Sequence, residues 1–254
     1  MPDAHLIPLA DHGTACAGCP YRDDLLAQGL CQPGDICIQA HSGRQIDRFL
    51  RRHPQLAAGY LADGFWERRA IAARYAPLDL VRPLARDGDE VVRRAVVLRL
   101  PPEELRPLGR DPDREVRITV ASRMPAEAVE FLISDPDYMV RMVVARRLRH
   151  GQLTRMAQDP EREVRKELAR RLPPFALKRM ARDEDVEVRR IAAGRLLPDD
   201  AVALLADPDW LVRLEAAGQA PVAALAPLLQ DPEPDVRERA RQRLQETPEP
   251  EAPS

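Results

Sequence analysis

One arginine returns every 24 residues through most of this chain, and that fixed step constrains the fold more than any other feature. The positions are Arg69, Arg93, Arg117, Arg141, Arg165, Arg189, Arg213 and Arg237, with no insertion or deletion between them. A valine precedes each of them from Val92 to Val236, only Arg68 departing, and an aspartate stands six residues before each, from Asp63 to Asp231. Self-similarity at a period of about 20–50 residues marks a solenoid, in which each unit buries its apolar face only by stacking on its neighbours. The sequence therefore divides into residues 1–62, an array over 63–245, and an acidic, proline-rich tail over 246–254 that is expected to be disordered.

Each unit opens on Asp-Pro or a close variant, as in Asp111-Pro112 and Asp159-Pro160, which reads as a helix N-cap followed by the first helical residue. The helix is expected to stop before a proline that recurs at one repeat position, Pro77, Pro101, Pro125, Pro173 and Pro221. What remains carries apolar residues three apart, such as Leu105 and Leu108 or Leu177 and Met180, a spacing that suits a short 3₁₀ turn as well as an α-helix. No segment alternates apolar and polar residues as a half-buried strand would, so the array is all-α. At 100° per residue, Arg117 falls inside the arc that holds Val116, Val120 and Ala121, on the packed face. A buried guanidinium needs a carboxylate or carbonyl partner. The repeated aspartate, of the same repeat or the next, is the expected one. A second arginine position (Arg99, Arg123, Arg147, Arg171, Arg195, Arg243) lies at the edge of the arc and is expected to be more exposed, the better candidate for a basic surface.

All four cysteines, Cys16, Cys19, Cys31 and Cys37, lie within 22 residues near the N-terminus, in the pattern C-x2-C-x11-C-x5-C. Clustered thiols of this kind read as a metal site rather than a disulfide framework. Structural zinc favours two short hooks of the form C-x2-4-C, and the second hook here is longer. An iron–sulfur cube accepts irregular spacing, because each cysteine holds a different iron. Spacing leaves both open and favours iron–sulfur. His12 and His41 flank the module and are not needed to complete a four-cysteine site. Between module and array, Ser42 is a candidate N-cap for a helix carrying Ile46, Phe49 and Leu50 and ending at His53-Pro54. Leu56, Tyr60, Leu61, Phe65 and Trp66 follow, read as a cap over the open face of the first repeat.

A four-cysteine module followed by units of the form Asp-Pro-x-x-x-Val-Arg-x-x-Val-Ala-x-Arg-Leu-Pro closely resembles the leucine-rich repeat variant family with its N-terminal iron–sulfur module. The resemblance spans residues from about 16 to 245, with Arg68 and Arg241 departing from the repeat pattern at its two ends. It implies a right-handed superhelix of α-helix plus 3₁₀-helix units. It also implies a [4Fe–4S] cluster held by Cys16, Cys19, Cys31 and Cys37, one structural zinc being the alternative. HEAT-like repeats share the Asp-Pro-x-x-x-Val-Arg core but have a longer unit.

The chain lacks the usual enzyme motifs: no G-x-x-x-x-G-K-[ST], H-E-x-x-H or G-x-S-x-G occurs, and its histidines are scattered. It is therefore expected to be non-enzymatic; with no secretory-signal pattern and no apolar run near ~18 residues, it is expected to be cytoplasmic with no membrane span. Its cluster would carry electrons or sense redox state while the array binds a protein partner, a redox protein among the candidates. A scaffold whose cluster is purely structural is the alternative, and nucleic-acid binding through the arginine-rich face ranks third, since the net charge of −2 argues against it.

Overall fold

A computed structural model describes residues 16–246; the tail over 247–254 and the first fifteen residues, His12 among them, lie outside the described residues. The chain forms two compact units, 1–124 and 125–254. The first holds the cysteine module and helices α1 (Gly43–Arg52), α2 (Trp66–Tyr75), α3 (Glu90–Arg99) and α4 (Arg114–Arg123). The second holds α5 (Tyr138–Arg147), α6 (Arg162–Arg171), α7 (Val186–Ala193), α8 (Trp210–Gln219) and α9 (Pro234–Gln245). Within each unit consecutive helices pack side by side. Among the described residues there is no strand, only an isolated bridge between Gln32 and Ile36.

The helices start three residues after the repeated aspartate, not at it. In α3 the N-cap is Asp89, whose carboxylate accepts from the backbone N–H groups of Val91 and Val92 at 2.9 and 3.4 Å. Asp113, Asp185 and Asp209 do the same in α4, α7 and α8. Assigning the cap to Asp87, Asp111 and their equivalents was therefore wrong by two residues. The signal for the true cap lies in the same sequence, as the second acid of each Asp-x-Asp or Asp-x-Glu. The helices followed by the recurring proline, α2, α3, α4, α6 and α8, end where expected. Leu100, ahead of Pro101, sits at φ −63° and ψ 145°, the extended region that a following proline imposes.

The second element is mostly 3₁₀, as at Arg106–Arg110, Val129–Leu132 and Ala226–Gln230, with a single α-turn ahead of it at Leu78–Val81, His150–Leu153 and Pro198–Ala201. The residues spaced by three, Leu105 with Leu108 and Leu177 with Met180, are buried, as are the helix positions Val164, Leu168 and Ala169. Each layer is thin and aliphatic, and each fully buried Val or Leu contributes about 1.5–3 kcal/mol.

The repeated arginine is the hinge of the packing. Arg141 donates from Nε and Nη2 to both oxygens of Asp159, in the next repeat, at 2.7 and 2.9 Å. Its Nη1 donates back to the main-chain carbonyls of Asp135 and Pro136 at 2.8 and 3.2 Å. The same bidentate pairs join Arg69 to Asp87, Arg93 to Asp111, Arg165 to Asp183, Arg189 to Asp207 and Arg213 to Asp231. Asp159 accepts in addition from the N–H of Glu161 at 2.9 Å. The aspartate thus orders its own loop with one oxygen while holding the preceding helix with both. Arg237, in the last repeat, keeps the bond to the Asp231 carbonyl.

The second arginine position departs from expectation. Arg99 donates to the carbonyls of Ala73 and Ala76 at 2.7 and 3.1 Å, Arg171 to those of Ala145 and Leu148, and Arg243 to that of Ala220. These carbonyls end the helix of the preceding repeat and have no intrahelical donor. The side chains are half-buried caps, favoured there by the helix dipole. They do not form an exposed basic surface.

Candidate metal centre

The cysteines are carried by a compact loop that two glycines allow to turn. Cys16 and Cys19 share one tight turn, closed by the Cys19 N–H on the Cys16 carbonyl at 3.2 Å. A five-residue π-turn over Arg22–Leu26 follows, and Gly29 at φ 67° sends the chain back to Cys31. Between Cys31 and Cys37 the backbone pairs Gln32 with Ile36 in both directions, at 2.9 and 2.8 Å, around Gly34 at φ 84°. Both glycines occupy the left-handed region that a side chain disfavours.

All four cysteines line one small cavity, lined also by Tyr21, Phe49, Ile36 and Ile38. Phe49 and Ile38 are almost fully buried, and Tyr21 packs on Phe49 with ring centroids 5.5 Å apart. The module rests on α1 and the following 3₁₀ turn, Pro54–Tyr60. The His53 ring lies 3.0 Å from the Leu30 carbonyl, and the Tyr60 hydroxyl donates to that of Tyr21 at 3.2 Å. Sequence reading placed Phe49 on an apolar stripe but did not connect it, or Tyr21, with the cysteines.

Tyr60 is buried, as expected of a cap, and α1 and the 54–60 turn both pack against α2. Trp66 instead is 38% exposed and Phe65 stacks edge-on against His41 at 5.8 Å. The seal on the first repeat is therefore narrower than the full aromatic run. His41 is occupied there and does not line the cysteine cavity.

Electrostatics in the cavity disfavour four free thiolates. Burial, then the neighbouring Cys19, Cys37 and Cys16, pushes the Cys31 thiol up. Burial also raises Cys37, opposed in part by the backbone N–H groups of Gln39 and Ala40, which donate to its sulfur, and reinforced by Cys16 and Cys19. A soft cationic centre would relieve that repulsion, and thiolates are the ligands such centres select. Among the described residues no group of three His, Cys, Asp or Glu side chains is placed to hold one metal ion. The four cysteines line one shared space.

Comparison with known proteins agrees with both halves of the chain. Residues 12–59 match the family described as "LRV protein FeS4 cluster", and residues 91–113 and 162–185 match "Leucine rich repeat variant". A solved structure described as "A leucine-rich repeat variant with a novel repetitive protein structural motif" is 53% identical. It superposes with a TM-score of 0.85 over 90% of this chain and 97% of that one. The chain belongs to the leucine-rich repeat variant family. A further relative, the "Uncharacterized 27.7 kDa protein in nifB 3'region" of Rhodobacter capsulatus, is 39% identical over 86 residues, 34% of this chain. The match spans about a third of that relative, 35% of its length. For this leucine-rich repeat variant, the module's family implies an iron–sulfur cluster. No helix among the described residues is long and apolar enough to cross a membrane.

Proposed function

We propose that this leucine-rich repeat variant is a non-enzymatic cytoplasmic protein whose Cys16, Cys19, Cys31 and Cys37 hold one [4Fe–4S] cluster. The cluster passes or senses single electrons while the repeats dock a protein partner. The observation that carries the reading is the convergence of all four thiols on one apolar cavity. A cluster there supplies a one-electron couple, whose potential responds to N–H···S bonds and to solvent exposure. The chain's part is to set both. Gln39 and Ala40 donate to the Cys37 sulfur, while Phe49 and Ile38 keep the floor of the site dry.

Nucleic-acid binding through the repeat arginines loses its support, because those side chains are held by Asp carboxylates and helix-terminal carbonyls. The remaining alternative is a structural cluster, or a zinc, that only closes the module. Anaerobic purification followed by assay of iron, acid-labile sulfide and zinc decides between them. About four irons and four sulfides per chain are expected, with visible absorbance that bleaches on dithionite. Absorbance that never bleaches favours a structural cluster. One zinc without sulfide sinks the cluster altogether.

A further inference from the structure

Helix α1 carries Arg44, Arg48, Arg51 and Arg52 on the side opposite buried Ile46, Phe49 and Leu50. Residues four apart lie one above another on a helix, so Arg44, Arg48 and Arg52 form a stripe with Arg51 beside it. The turn between Cys31 and Cys37 is tied directly to this helix. Asp35 forms an ion pair with Arg48, and Gln45 donates to the Gly34 carbonyl at 2.8 Å. Asp35, Ile36, Arg48, Arg51 and Arg52 line one groove, and Ile36 also lines the cysteine cavity. Ile36 thus lines both the cysteine cavity and the groove beside the basic stripe.

The charges on this face are unbalanced outward. Asp47 is recessed, 16% exposed, and bound by Arg51 and by the Tyr75 hydroxyl at 2.8 Å. Arg51, which it holds, is 69% exposed. Arg44 and Arg52 make no ion pair among the described residues. Counting Arg74, which also reaches Asp47 at 3.4 Å, five arginines thus face three acids, Asp35, Asp47 and the Glu67 that lies against Gly43, on a chain whose net charge is −2. A basic rim around an apolar contact suits a partner of opposite charge, since complementary potentials steer encounter and fix orientation.

We propose that the face built from Ile36 and the arginines of α1 docks an acidic one-electron carrier protein, seating its redox centre beside the cysteine cavity. This rests on the electron-transfer reading above for its purpose, though not for its geometry. In the exchange, the reduced carrier loses one electron, the oxidised cluster gains it, and no bond is made or broken. Binding should be fast, weak and steeply dependent on salt.

The test titrates the anaerobically purified protein with an acidic plant-type ferredoxin at low and high salt, with a basic cytochrome of similar size as control. The R44E/R52E variant alters two arginines without ion pairs and should leave the fold and the iron and sulfide content unchanged. Ferredoxin is expected to bind at low salt, to be released by salt, and to bind at least about tenfold more weakly to R44E/R52E. An L80E variant, exposed at 46% elsewhere on the same unit, should bind as the parent does. Equal binding by parent and R44E/R52E, stronger binding of the cytochrome, or no ferredoxin binding at low salt would each overturn the proposal. Ferredoxin binding through these arginines by a protein whose cluster does not bleach keeps the docking face and removes the electron-transfer reading.

Discussion

The cysteine module and the repeat array solve opposite problems of buried charge. In the array Arg69, Arg93, Arg141, Arg165, Arg189 and Arg213 meet groups supplied by the chain itself: two carboxylate oxygens of the next repeat and a carbonyl of their own. The site is complete as soon as the chain folds. In the module four thiols converge on a cavity where Arg22 is the one cationic side chain among the described lining residues. As thiolates they would repel one another, and a bound cationic centre would relieve that. The array is therefore self-sufficient, while the proposed cluster would couple the module's stability to a bound centre.

The sharpest way to break this contrast is Cys31→Ser. Iron content should fall towards zero, and amides over residues 16–60 should lose hydrogen-exchange protection, while those of α6 to α8 keep theirs. Equal loss in both regions would mean the array, too, depends on the centre. Next in size is Asp159→Ala, which strands the Arg141 guanidinium, 11% exposed. It should cost about 3–5 kcal/mol in urea unfolding, while the double change Arg141→Met with Asp159→Leu should recover much of that loss. Asp185→Ala removes the N-cap of α7 and a long contact to the exposed Arg162 at 3.5 Å, and should cost about 1 kcal/mol.

Acid should reveal the ladder at Asp87 and Asp231. The Arg69 guanidinium holds the Asp87 carboxyl below its ordinary value, and Arg213 does the same for Asp231. A depressed folded value means this stability is present in full above about pH 4 and lost as pH falls through the lower folded value. Urea midpoints at pH 5 and pH 3 should separate, with less separation in Asp87→Asn. The smallest effect belongs to Arg82→Ala, since Arg82 and its partner Glu104 are 45% and 36% exposed. Its unfolding midpoint should not move measurably. A large loss there would show that surface pairs, and not the buried ladder, hold the repeats.

The array was the more legible of the two regions because its physics is local and repeated. A 24-residue step, a proline that ends most of the helices and an apolar spacing of three were each visible in one repeat and found again in others. The misreadings have a common cause. Placing the cap at Asp111 rather than Asp113 confused two acids two residues apart, and only the structure shows that one serves its helix and the other serves an arginine from the repeat before. The edge arginines looked exposed on a single-helix wheel, because a wheel omits the neighbouring helix whose terminal carbonyls Arg99 and Arg171 reach.

By itself the sequence determined the all-helical repeat, the burial of its arginines and the membership of four cysteines in one module, since each follows from spacing along the chain. The tertiary structure alone decided which aspartate each arginine takes, which carbonyls the second arginines cap, and that Tyr21 and Phe49 close the cysteine cavity. Those facts depend on groups 18 to 26 residues apart meeting in space. A period states that such meetings recur, but the stagger between successive layers selects the partners.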